Sequence, residues 1–262
     1  MINRNWVFFC LILSLFACNA SKETSNDYLS GKEVWDKMMQ HYDPEGKLLQ
    51  STFLIKFEEG LKKGEVSTHS QILVSHPHNY CAYTQQSAVD STKAPRAMIW
   101  KNGKHLLIAN HDTLRTDEEI KAAGMSAGLV DYYGTYYLYI FGLPSNMQSG
   151  GVAFPDTVKQ GVFMDQKCLV FPIQYPPNNE RERWTYYLHP TTFQIIGGSY
   201  DYADPKMKGN EAFAELSGSA VAEGFKLIQK HGWYKADSSE WGFSEVTSIT
   251  LLNPDSVDWL ID

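Results

Sequence analysis

Short stretches with a two-residue period, each closed by a turn signal, run through most of this 262-residue chain. They leave few folds open. Phe53, Ile55 and Phe57 interleave with Leu54, Lys56 and Glu58. In an extended segment the first three share one face. Similar stretches cover residues 64–75, 79–85, 97–101 and 105–110. The last two flank Asn102-Gly103, a strong two-residue hairpin signal, and Met98 and Trp100 share a face just before it. The pattern resumes at residues 166–174 and 182–188, where Trp184, Tyr186 and Leu188 share a face. The turn His189-Pro190-Thr191-Thr192 leads into 193–202, and further stretches cover 212–223, 225–234 and 244–252. About ten strands in hairpin order predict a mainly β fold with helices (α+β): a curved antiparallel sheet or incomplete β-barrel.

Two segments carry helix signals instead. Ser30 with Glu33 forms a capping-box pattern, and Val34, Trp35, Met38 and Met39 recur at helical spacing before the turn Asp43-Pro44-Glu45-Gly46. A helical insertion is predicted at about 116–141. Thr116 caps its start, and Asp117, Glu118 and Glu119 place negative charge there. Gly124, Gly128 and Gly134 predict two short helices in place of one long one, and Gly142-Leu143-Pro144 ends the segment. Six of the eleven residues from Asp131 to Phe141 are aromatic. A helix apolar on both faces must be covered on both sides or lie across a hollow.

The N-terminus reads as an export and anchoring signal. Arg4 precedes an apolar run from Trp6 to Ala17, too short to span a bilayer, which takes about 20 residues. Leu15-Phe16-Ala17-Cys18 resembles the bacterial lipobox, in which the cysteine thiol takes a diacylglycerol thioether. Residues 1–17 are thus expected to be a signal peptide, Cys18 the lipidation site, and 18–30 a polar tether to one domain over 31–262. Membrane attachment is expected through lipidated Cys18. The expected location is the cell envelope, at the outer membrane, on its periplasmic or its surface side. Loss of Arg4 moves the formal charge from -7 to -8, so the chain has no electrostatic footprint for nucleic acid.

Candidate chemistry is sparse, and no catalytic, metal or cofactor site is predicted. His76-Pro77-His78 places two imidazoles at strand spacing, but Pro77 favours a loop and no third ligand is near. His41, Asp43 and Glu45 at the end of the first helix, and His111 with Asp112, read as capping and turn residues. Glu180-Arg181-Glu182-Arg183 reads as a solvated strand edge. There is no G-x-S-x-G elbow and no phosphate-cradling glycine loop. Cys81 and Cys168 could pair in an oxidising exported compartment, but read equally as buried small hydrophobes, and both are expected to be free.

Three stretches carry a resemblance. Tyr136-Tyr-Leu-Tyr-Ile-Phe-Gly-Leu-Pro144 is an aromatic run ending in Leu-Pro. Cys168-Leu-Val-Phe-Pro-Ile-Gln-Tyr175 is a strand, followed by Trp184-Thr-Tyr-Tyr-Leu-His-Pro-Thr-Thr192 and Gly198-Ser-Tyr200, a strand, turn and return strand. Asp43-Pro-Glu-Gly46 follows a short helix. Over residues 32–252 this order is similar to uncharacterised bacterial lipoproteins related to the outer-membrane lipoprotein carriers of the LolA/LolB fold. The resemblance implies a half-open β-barrel of about eleven strands, with helices plugging its concave side. In the carriers that concavity holds lipoprotein acyl chains. A carrier shuttles, whereas this chain is expected to be anchored, and no carrier site residue transfers by motif.

The leading functional expectation is a non-enzymatic, lipid-anchored module whose half-barrel binds a lipid, acyl chain or acylated protein. The expected lining is Phe53, Ile55, Phe57, Met98, Trp100, Trp184, Tyr186 and Leu188, under a lid bearing Tyr136 and Tyr137. One alternative is a structural or protein-interaction lipoprotein, its protein partner unknown, with a hollow filled by its own helices. A hydrolase is the third reading.

Overall fold

The computed structural model describes residues 29–148, 152–174, 182–202 and 212–260. The signal peptide, Cys18, most of the tether, Glu180 and Arg181 lie outside the described residues.

Among the described residues the α-helices are α1 (Gly31–Tyr42), α2 (Asp117–Ala122) and α3 (Ala127–Ile140). The first strand series is β1 (Thr52–Gly60), β2 (Thr68–Ser75), β3 (Tyr80–Ser87), β4 (Arg96–Lys101), β5 (Lys104–Ala109) and β6 (Asp112–Thr113). The second is β7 (Lys159–Phe163), β8 (Gln166–Pro172), β9 (Glu182–Leu188), β10 (Ile195–Tyr202), β11 (Ala212–Ala222), β12 (Phe225–Lys235) and β13 (Glu240–Leu252).

All thirteen strands form one sheet, in the order β6-β5-β4-β3-β2-β1-β13-β12-β11-β10-β9-β8-β7. Every neighbouring pair is antiparallel. Each series is therefore a plain meander, and the two meet where β1 pairs with β13. The sheet stays unclosed. Its free edges, β6 and β7, are consecutive in sequence, and the chain between them carries α2 and α3. Two of the described strands bury no side chain. β6 is a two-residue exposed pair. β7 has no buried residue and contains Gly161.

Local signals explain the elements. The expected hairpin forms with Asn102 and Gly103 at φ 51° and 82°, the left-handed geometry of a tight turn. Asn110 and His111, at 54° and 70°, make the next one. Both capping boxes are present: Ser30 with Glu33 on α1, and Thr116 with Glu119 on α2. Two helices do replace one over the insertion, but α3 runs straight through Gly128 and Gly134. Among the described residues no helix is long and apolar enough to cross a membrane.

Alternation becomes burial across the sheet. One cross-strand row runs Ile55–Ile72–Tyr83–Met98–Leu107 over β1 to β5, all buried. A second runs Phe171–Tyr186–Gly198–Ala214–Trp233 over β8 to β12. Both rows join a single hydrophobic cluster with residues of α1 and α3. Such same-face pairs are the unit of sheet stabilisation, each contributing about 0.2–1 kcal/mol.

Candidate functional site

The inward face of β1 runs Phe53, Ile55, Phe57 and then Glu59. The first three are buried, at 0%, 0% and 2% exposure. Met98 and Trp100 on β4 are buried, as are Trp184, Tyr186 and Leu188 on β9. All eight enter the same apolar cluster.

Helix α3 touches both halves of the sheet. On one side the Tyr137 ring packs against Phe57 and Tyr83, and Gly134 against Trp100. On the other, Tyr136 packs against Trp233 of β12, and the Tyr139 hydroxyl lies 2.8 Å from that of Tyr186 on β9. Val130, Tyr137, Leu138 and Ile140 are buried, whereas Tyr136 is half-buried and Tyr132 exposed. The apolar surface thus extends around the helix, as its composition predicts.

One carboxylate sits among these rings. Glu59 is half-buried. Its Oε2 accepts a hydrogen bond from the Tyr83 hydroxyl at 2.6 Å and another from the Ser70 hydroxyl. Its Oε1 accepts from the Tyr137 hydroxyl at 3.3 Å. Burial, and after it the Glu59 charge, push the Tyr83 and Tyr133 phenols up. Tyr137 is pushed well up by burial first, then by Tyr83 and Glu59. All three phenols therefore stay neutral donors at physiological pH.

Two imidazoles flank the C-terminal end of α3, that of His231 buried and that of His76 half-buried. His231 of β12 is 3% exposed, and its ring meets Phe141 edge-on at 6.2 Å. His76 packs against Phe53 and forms a hydrogen bond with the Phe141 backbone. Among the described residues, Nε2 of each has no hydrogen-bond partner. Burial lowers both pKa values to about 4, although the Phe141 bond partly opposes this at His76.

The remaining sequence candidates are dispersed. His78 leaves the buried region to pack on Trp259, with its Nδ1 2.9 Å from the Ser75 hydroxyl. Among the described residues no group of three or more His, Cys, Asp or Glu side chains is placed to hold a metal ion. Asp43 is buried and serves the turn after α1, accepting from the Lys47 and Leu48 amides and the Ser145 hydroxyl. Cys81 and Cys168 are free and buried. A groove of about 370 Å³ is lined mainly by polar residues, Lys56, Glu58, His69, Gln71, Thr84 and Thr247 among them, and also touches Phe57 and Ser70.

Sequence reasoning missed Glu59, Ser70, Tyr83 and Tyr133. Glu59 was within reach: it is the next residue of the period that runs through Phe53, Ile55 and Phe57. Tyr83 is placed by its register opposite Ile72 and Met98, which are contacts between strands.

The profile of a family of unknown function (DUF6503) matches residues 6–223, well over half of the chain. The chain belongs to this family. DUF6503 has a LolA-like architecture here. The chain is similar to a LolA superfamily protein from Nitrosomonas europaea at 10% identity, over 87% of this chain and 96% of that one, with a TM-score of 0.51. A domain from Vibrio parahaemolyticus, provisionally described as an outer membrane lipoprotein-sorting protein, aligns at 8% identity over 86% and 94%, with a TM-score of 0.45. A DUF1329 family protein from Desulfovibrio piger aligns at 6% identity over 87% and 95%, with a TM-score of 0.39. No curated protein matches the chain.

Proposed function

We propose that this DUF6503 protein is an exported, lipid-anchored module that binds an apolar ligand (a lipid, an acyl chain or an acylated protein) in the hollow of its half-barrel. The carrying observation is the position of α3. An aromatic helix in the chain between the two edge strands contacts inward side chains of both halves of the sheet. The proposed lining is Phe53, Ile55, Phe57, Met98, Trp100, Trp184, Tyr186 and Leu188. Tyr136 and Tyr137 lie on the lid, and the helices plug the concave side until a ligand displaces α3. A helix held by side-chain contacts opens at lower free energy than the hydrogen-bonded strands beneath it. The domain division 1–17, 18–30 and 31–262, with Cys18 lipidated, completes the proposal. It places the domain in the cell envelope, tethered at the outer membrane. The LolA-superfamily neighbour supports the half-barrel by fold alone.

One observation favours a second reading. Tyr137 and Phe141 are only 5% and 3% exposed and stack on each other at 5.7 Å, as in a permanently filled core. Organic extraction of the purified full-length protein, followed by lipid mass spectrometry, separates the two. The binding reading expects a co-purifying lipid beyond the covalent anchor. It also expects saturable uptake of the neutral dye N-phenyl-1-naphthylamine once that lipid is removed. Neither is expected of a self-filled core.

A further inference from the structure

Among the described residues, Glu59 sets a carboxylate among the hydroxyls of Ser70, Tyr83 and Tyr137. Among the described residues no Lys, Arg or His forms an ion pair with Glu59. Its three described side-chain partners are neutral hydroxyls. A carboxylate has about four acceptor positions. Oε2 takes two donors and Oε1 one, at the long distance of 3.3 Å, so Oε1 retains capacity.

The surroundings match a cation. Tyr83 and Tyr137 stand 4.8 Å apart, Tyr83 and Tyr133 5.8 Å, and Tyr133 and Tyr137 5.7 Å, so three rings cluster next to the carboxylate. Ring faces attract organic cations, and more strongly once water is excluded. A charged N–H donor on Oε1 makes a shorter, stronger bond than a hydroxyl does. Tyr133 and Glu59 are both half-buried, which leaves the cluster reachable from the rim. The same charge repels an anionic head, so the site discriminates by exclusion as well as by attraction.

We propose that Glu59, with Tyr83, Tyr133 and Tyr137, binds an organic ammonium group carried on an apolar tail. The ligand class is an amine-headed amphiphile. This rests on the reading of the hollow as an apolar-ligand site and adds the headgroup to it.

The test displaces N-phenyl-1-naphthylamine from the delipidated protein with three ten-carbon ligands: decylammonium, decanol and decanoate, at pH 7. Decylammonium is expected to displace the dye at roughly one-tenth of the decanol concentration, with decanoate weakest. Glu59→Gln keeps an acceptor for the hydroxyls and is expected to bring decylammonium and decanol to equal potency. Tyr133→Leu, at the half-exposed rim, is expected to narrow the preference severalfold and serves if the Glu59 variant does not fold. Equal potency of decylammonium and decanol on the wild type overturns the ammonium site while leaving the hollow intact. So does a preference that survives Glu59→Gln. A dye that does not bind at all overturns the hollow, and the headgroup site with it.

Discussion

Gly134 of α3 lies against Trp100 of β4 so closely that a β-carbon on the glycine would come within 2.5 Å of both Cβ and Cγ of the tryptophan. The contact explains a glycine inside a helix, where it costs about 1 kcal/mol relative to alanine. Close approach of the helix backbone to the sheet offsets that cost. Gly128, one turn and a half earlier, has no atom within 4 Å of the same virtual carbon.

The pair predicts opposite signs for one substitution. Gly134→Ala must push α3 away from Trp100 and should destabilise the domain by about 1–2 kcal/mol, overpacking exceeding the helix-propensity gain. Gly128→Ala should stabilise it by about 0.5–1 kcal/mol. Urea denaturation of the two variants, followed by tryptophan fluorescence, checks both signs. A Gly134→Ala protein as stable as wild type would mean that α3 does not rest on β4.

Much of this architecture is legible in the sequence because it is local. Asn102-Gly103 specifies its hairpin, and Ser30-Glu33 and Thr116-Glu119 announce two helices. The inward faces around Ile55, Trp100 and Tyr186 follow from a period of two. What is not legible is non-local or weakly encoded. The pairing of β1 with β13 joins residues nearly 200 positions apart, and no local signal marks it. β6 is a two-residue strand paired with β5 at Ala109–Asp112 and Ile108–Thr113, and β7 buries no side chain. The site was half legible for the same reason. The burial of Phe53, Ile55 and Phe57 shows in the alternation, whereas the assembly of Glu59, Ser70, Tyr83 and Tyr137 depends on strand register and helix docking.

His231 and His76 predict a pH dependence. Their folded pKa of about 4 lies below the ordinary imidazole value of 6.5. Above pH 6.5 neither the folded nor the unfolded chain binds the proton, and the stability from these groups is fully present. As pH falls from 6.5 towards 4, the unfolded chain gains protons that the folded one refuses. Stability should then fall by up to about 1.4 kcal/mol per pH unit for each histidine. Below pH 4 the slope from these groups should vanish. Denaturation midpoints at pH 7, 6 and 5 measure this. His231→Gln should flatten the slope by about one proton, whatever it does to absolute stability, and an unchanged slope would refute the assignment.

Tyr42 ties α1 to the sheet. Its side chain is fully buried, and its hydroxyl accepts the Ile195 N–H at 3.1 Å, where the β9–β10 register shifts. Burial pushes its phenol well up, so it remains neutral. Tyr42→Phe would leave a buried amide without an acceptor and should cost about 1–3 kcal/mol. Denaturation of the variant gives the number. A loss below about 0.5 kcal/mol would mean that the amide finds another partner.

Cys18→Ser removes the thiol that a diacylglycerol thioether requires. Metabolic labelling with an alkyne fatty acid should mark the wild type and not the variant, which should leave the membrane fraction. A variant that still labels would place the anchor elsewhere.

Hydrogen–deuterium exchange of the delipidated protein, with and without saturating decanol, tests the central claim most directly. If the ligand enters beneath α3, the strands at residues 53–57 and 184–188 should exchange more slowly with decanol bound. The α3 amides at 127–140 should change in the same titration, because the lid must move to admit the tail. Unaltered exchange in all three segments, at decanol concentrations that displace the dye, would contradict the account and put the ligand somewhere other than the half-barrel.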